Sequence, residues 1–206
     1  METSSESLQF ELMPYSTSTS TGSKKAMPKA GFKADVGRFG SVTVERCPLY
    51  RPLEKGKGMD TVRLSGPAFP DTTFRGKRRS GQPSLSRAEL TLAGRPAELR
   101  FNARALRKED RALRISYESR EYVYSAEGLG RAKVLERAGV RVTMEPGQYV
   151  PATGTVTAGT ATGPADAVDL AIAIVLEAVD TDVLTLGGTA LSSPFALLHH
   201  FSDRAE

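Results

Sequence analysis

ADAVDLAIAIVLEAVD, residues 165–180, holds seven apolar residues in succession from Leu170 to Leu176 and four acids along its length. An ordinary surface helix carries one apolar stripe, whereas this segment is apolar in nearly every direction around its axis and must be covered almost all round. The preceding chain supplies many short runs of period two and little helix. A closed sheet with the helix through its centre is the simplest cover that such a chain offers. Burying Leu170, Ile172, Ile174, Val175, Leu176 and Val179 there would contribute about 1.5 to 3 kcal/mol for each large side chain. Pro164 suits a first helical turn, Thr162 is a candidate N-cap, and Asp166 and Asp169 fall near the positive end of the helix dipole.

The period-two signal begins at Lys33. Val42 and Val44 share one face of GSVTVER, and Val62 and Leu64 share one face of TVRLS. Further pairs follow: Leu90 with Leu92, Leu99 with Phe101, Leu113 with Ile115 and Tyr117, Tyr122 with Tyr124, Val134 beside Leu135, and Val140 with Val142 and Met144. Turn residues at 94–96, 118–120, 127–130 and 138–139 separate them, a spacing that predicts an antiparallel meander closing into a barrel or sandwich. The predicted fold class is mainly β: an antiparallel β-barrel or closed sheet around a hydrophobic C-terminal helix.

Other segments read differently. STSTSTGSKK is a polar low-complexity tract, so residues 1–32 are predicted to be a flexible tail, with LQFELMPY as a short strand or docking segment inside it. The prolines and glycines of CPLYRPLEKGKGMD predict an irregular crossing. SGPAFPDTTFRGKRRSGQPSLS, with three prolines and no periodicity, predicts a long exposed loop. From Pro146 to Ala165 the chain carries no charge, and ATGTVTAGTATG predicts a Gly/Thr/Ala connector. Residues 33–206 are expected to form one β-rich domain, with the core helix at 165–180 and a short terminal helix at 194–201 in SSPFALLHHF.

The strand pairs RALRISYESREYVY and AGVRVTM, followed by DAVDLAIAIVLEAVD, resemble the last part of a LURP-one-like barrel and its core helix. In order and texture, residues 85 to 190 resemble the Tubby C-terminal-like superfamily shared by Tubby proteins, phospholipid scramblases and LURP-one-related proteins. That resemblance implies a barrel wrapped on an apolar helix, and a lipid-binding function.

Catalytic side chains are scarce. His199 and His200 are the two histidines; on a helix, adjacent residues point about 100° apart and cannot form the i, i+4 pair that binds zinc. Neither a G-x-S-x-G elbow nor a phosphate loop with its lysine occurs. Cys47 alone makes no intramolecular disulfide or multi-cysteine zinc site, and fits a reducing compartment as well as it fits a secreted protein that does not use disulfides. Asp166 and Asp169 would sit about 16 to 24 Å from Asp180 and Asp182 along a helix, too far to share a cation. No catalytic residue, metal or cofactor is expected, and the protein is read as a non-enzyme.

Charge is what remains. The net charge is +4, but Arg75 to Arg120 holds thirteen Lys/Arg against five Asp/Glu, and Ala161 to Glu206 one against seven. Arg75, Lys77, Arg78, Arg79 and Arg87 form the candidate anion-binding group. The expected role is a binding or scaffold protein that meets an anionic membrane surface or a protein partner through this basic region. The alternatives are an assembly protein, forming homo-oligomers through its N-terminal arm and PFALLHHF, and a sequence-tolerant nucleic-acid binder. METSSESLQFELMPY lacks the basic start and apolar run of a signal peptide, and no apolar run reaches the roughly 20 residues of a membrane helix, which together predict a cytoplasmic location.

Overall fold

The computed structural model describes residues 7–17, 29–47, 58–79, 81–102, 111–127, 132–150 and 154–185. In chain order its strands are β1 (Ser7–Thr17), β2 (Lys29–Asp35), β3 (Ser41–Cys47), β4 (Met59–Ser65), β5 (Thr72–Arg79), β6 (Gln82–Pro83), β7 (Glu89–Leu92), β8 (Arg95–Arg100), β9 (Leu113–Tyr117), β10 (Arg120–Glu127), β11 (Ala132–Arg137), β12 (Val140–Val150) and β13 (Gly154–Thr162), followed by α1 (Ala167–Leu176). Every strand pairs antiparallel with its neighbours. β13 returns to β1, and β4 pairs with β5, so twelve strands close on themselves while the two-residue β6 caps β5. Closure removes the exposed sheet edges on which another chain could template.

Helix α1 runs inside this wall. Leu170 through Leu176 are each 0% exposed, and α1 packs against β4, β5, β11 and β12. Inward positions alternate along each strand as a sheet requires: Val42 and Val44, Val62 and Leu64, Leu90 and Leu92, Leu113 and Ile115, Tyr122 and Tyr124, Val142 and Met144 are buried. Outward positions such as Arg63, Arg75, Lys77 and Arg114 are exposed. An apolar inside and a charged outside reverse the pattern of a membrane-spanning barrel. Among the described residues no helix is long and apolar enough to cross a membrane.

Four sequence expectations change. LQFELMPY is a strand, as one reading of it had it, but residues 7–17 and 29–32 belong to the wall strands β1 and β2 and not to a tail: Leu8, Phe10 and Leu12 find their partners in β13, Ala161, Gly159 and Thr157. The expected connector is β13, a wall strand whose inward residues Thr157, Gly159 and Ala161 are too small to give an apolar signal. Their size is required. A Cβ on Gly159 would lie 2.3 Å from Cζ of Phe10, which fills that space from the neighbouring strand. The expected long loop contains β5, in which Thr72, Phe74 and Gly76 face inward; with one large apolar side chain among them, period two was invisible. Finally, α1 starts at Ala167. Its N-cap is Asp166, whose carboxylate accepts from Val168 N and Asp169 N while Asp169 accepts from Asp166 N, a reciprocal capping box.

The predicted terminal helix 194–201, with His199 and His200, lies outside the described residues, as do 1–6, 18–28 and the irregular crossing from 48 to 57.

Candidate functional site

Antiparallel closure gives the barrel two mouths, and the chain treats them differently. The connections 36–40, 66–71, 93–94, 118–119 and 138–139 all lie at the mouth where α1 begins. Ala93 and Gly94 both have positive φ, the two-residue hairpin geometry that matches strand twist. At the mouth where α1 ends lie the strand ends Thr17, Cys47, Arg79, Arg100, Glu127 and Val150.

At the helix-start mouth the carboxylates are engaged by protein donors, although the buried Arg120 Nη1 is held by ion pairing and makes no hydrogen bond among the described residues. Asp169, 0% exposed, accepts from Arg137 Nε and Nη2 at 2.7 Å each and from the Tyr122 hydroxyl at 3.1 Å. Arg120 Nη1 stands 2.6 Å from Asp166 Oδ2, and Arg38 donates to the Ala165 carbonyl at 3.3 Å. Burial pushes the Tyr122 phenol up to about 12, with Arg120 pulling against it. Burial alone would raise the Asp166 carboxyl, but hydrogen bonds from the helix backbone and Arg120 outweigh it and hold the group below its ordinary value. The Asp169 carboxylate, accepting from Arg137 Nε and Nη2, the Tyr122 hydroxyl and Asp166 N, has no capacity left for a ligand.

The helix-end mouth holds a cavity of about 460 Å³, walled by β1, β2, β3, β6, β12, β13 and the end of α1. Arg46 enters it from β3. Period two puts Arg46 on the same inward face as Val42 and Val44, and its register partners are Ala30 and Val62. Its guanidinium carbon lies 5.5 Å from the Phe32 ring centroid, and its buried Nε has no hydrogen-bond partner among the described residues. Burial lowers its pKa from the ordinary arginine range without approaching neutrality at physiological pH. Glu177, at the helix C-cap, also lines the cavity, its side chain 9% exposed. Burial raises its carboxyl above the usual range, against the opposing pull of Lys133 Nζ at 3.7 Å and the Tyr124 hydroxyl at 3.4 Å. Tyr149, 66% exposed, is the register partner of the cavity-lining Thr155 and stands at the rim.

The five candidate residues from the sequence do not gather into one loop. Arg75 and Lys77 point outward from β5, Arg75 within 3.7 Å of Glu89. Arg78 points inward and grips the buried Asp60 through Nε and Nη2 at 2.6 to 2.9 Å. Arg79 lies 3.6 Å from the buried Asp180. Arg87 is exposed, with φ of 51°, beyond β6. The cavity groups Arg46 and Glu177 were missed, although a charged residue on the apolar register of GSVTVER and an acid directly after Leu176 were both visible in the sequence.

Compared with known proteins, the chain matches no family model, no curated protein and no solved structure.

Proposed function

We propose that this protein is a non-enzymatic binding module that receives an anionic group in the helix-end mouth of its barrel. One observation carries the reading: Arg46 lines a largely apolar cavity, and its buried Nε has no hydrogen-bond partner among the described residues. Such a donor costs about 1 to 3 kcal/mol of folding free energy unless something accepts from it. An oxyanion satisfies a guanidinium better than any neutral acceptor does, through short charge-assisted bonds. Lys77 and Arg75 on the outer wall contribute a longer-range positive field that guides an anion, or an anionic membrane surface, toward the barrel. A Tubby C-terminal-like relationship is part of this reading, supported by a closed wall around an apolar helix.

An assembly role through an N-terminal arm is less favoured, because Ser7–Thr17 is itself a wall strand.

Titration with inorganic phosphate, together with co-flotation on vesicles containing phosphatidylserine, tests the reading. Arg46→Gln should weaken phosphate binding about tenfold to a hundredfold, the equivalent of one or two charge-assisted hydrogen bonds. Replacing Arg75 and Lys77 with serine should reduce only the salt-sensitive part of vesicle binding. Phosphate binding that ignores Arg46 would remove the cavity from the account.

A further inference from the structure

Resting on that reading, the structure assigns a narrower ligand class: we infer that the helix-end cavity takes a short zwitterion, or a headgroup of that kind, with its oxyanion on Arg46 and its protonated amine on Glu177. The two side chains line the same cavity, one from β3 and the other from the end of α1. Both contacts of the Glu177 carboxylate, with Lys133 Nζ and with the Tyr124 hydroxyl, fall on Oε1. Among the described residues its second oxygen has no such contact and keeps accepting capacity, because an ionised carboxylate offers about four lone-pair sites.

A simple anion fits this arrangement poorly. Seated on Arg46, it would share a low-dielectric space with Glu177, and like charges brought together there repel strongly. A simple cation has the converse difficulty with Arg46 and Lys133. A ligand carrying both charges satisfies both walls and leaves the cavity near neutral. Thr155, Thr157 and Gln82 supply neutral hydrogen-bonding groups around the same space. The cavity volume, about 460 Å³, lies within the size of ordinary small-molecule sites.

The test compares three soluble probes on the full chain at neutral pH: phosphorylethanolamine, inorganic phosphate and ethanolamine. Phosphorylethanolamine should bind at least about tenfold more tightly than either half, one such increment being about 1.4 kcal/mol. In Glu177→Gln that preference over phosphate should vanish, while phosphate itself binds as well as before or better. Glu177→Asp, which keeps the charge but withdraws it by one methylene, should lose part of the preference, and a thermal melt on each variant separates a folding defect from a binding one. Vesicles of phosphatidylethanolamine in phosphatidylcholine form the second arm. Binding to them with Arg46 and Glu177 dependence identifies a lipid headgroup as the source, and binding of the soluble probe alone identifies a free small molecule. Phosphate bound through Arg46 with no added gain from the amine would overturn the zwitterion assignment and leave the anion site standing. Failure of all probes to bind would overturn both.

Discussion

The two mouths of the barrel hold similar chemistry to opposite effect. Where α1 begins, Arg137, Arg120, Tyr122 and the capping box converge on Asp169 and Asp166, and the carboxylates are consumed by protein donors. Where it ends, Arg46 and Glu177 face a cavity, the first with an unpaired donor and the second with a spare acceptor. A network of ion pairs around buried carboxylates rigidifies the entry of the helix, whereas a buried donor with no acid beside it stores free energy that a ligand can recover. Buried charge in this chain thus has two settings: at the helix start each unpaired donor still faces a carboxylate, as Arg120 Nη1 faces Asp166, whereas Arg46 has no acidic partner among the described residues.

The contrast breaks most visibly at Asp169. Asp169→Asn leaves Arg137 beside a neutral group at the helix start and should cost about 3 to 5 kcal/mol, read as a lower urea midpoint with unchanged slope. If that mouth tolerated the change as a surface site would, its anchoring role would be lost. A smaller loss, about 1 to 3 kcal/mol, is expected for Gly159→Leu, whose side chain needs the space of the Phe10 ring. Adding Phe10→Ala should recover part of it, because the two sites are direct cross-strand partners; strict additivity in the double mutant would contradict the packing.

Asp166→Ala should cost about 0.5 to 2 kcal/mol by removing the N-cap. Acid sharpens the point. The folded-state pKa of Asp166 lies below its ordinary value of 3.8, so its contribution is present above that value and is lost as pH falls through the folded one. Asp166→Asn, which caps nearly as well, should flatten this part of the stability profile below about pH 4 while changing little at pH 7. A profile identical to the parent's would show that Asp166 carries no such linkage. The smallest effect is expected on the outer wall, where Lys77→Ser should shift stability by no more than about 0.5 kcal/mol.

Much of the fold was legible because its signals were local. The continuous run Leu170 to Leu176 demanded a cover, and Val42/Val44, Leu90/Leu92 and Val140/Val142/Met144 announced inward faces by alternation alone. β5 and β13 escaped because their inward positions are Thr72, Gly76, Thr157, Gly159 and Ala161, chosen to fit beneath neighbours that sequence order does not reveal. β1 was legible in part, since Leu8, Phe10 and Leu12 alternate, but its place in the wall was not, because its partner β13 lies far along the chain. The site was harder still. Arg75 to Arg79 stood out by density, yet Arg78 and Arg79 are spent on Asp60 and Asp180, whereas Arg46 stands alone in sequence and matters through its register.

The most direct test is a matched pair of thermal melts, Arg46→Met against Arg137→Met, in the absence of ligand. Both replace a guanidinium with an apolar chain of similar length. Arg46→Met should leave the midpoint unchanged or raise it, because it removes an unpaired buried donor. Arg137→Met should lower it by several degrees or more, because it strands the carboxylate of Asp169. An equal fall in both variants would contradict the account, since Arg46 would then be part of the anchor and the cavity would have no donor held ready for a ligand.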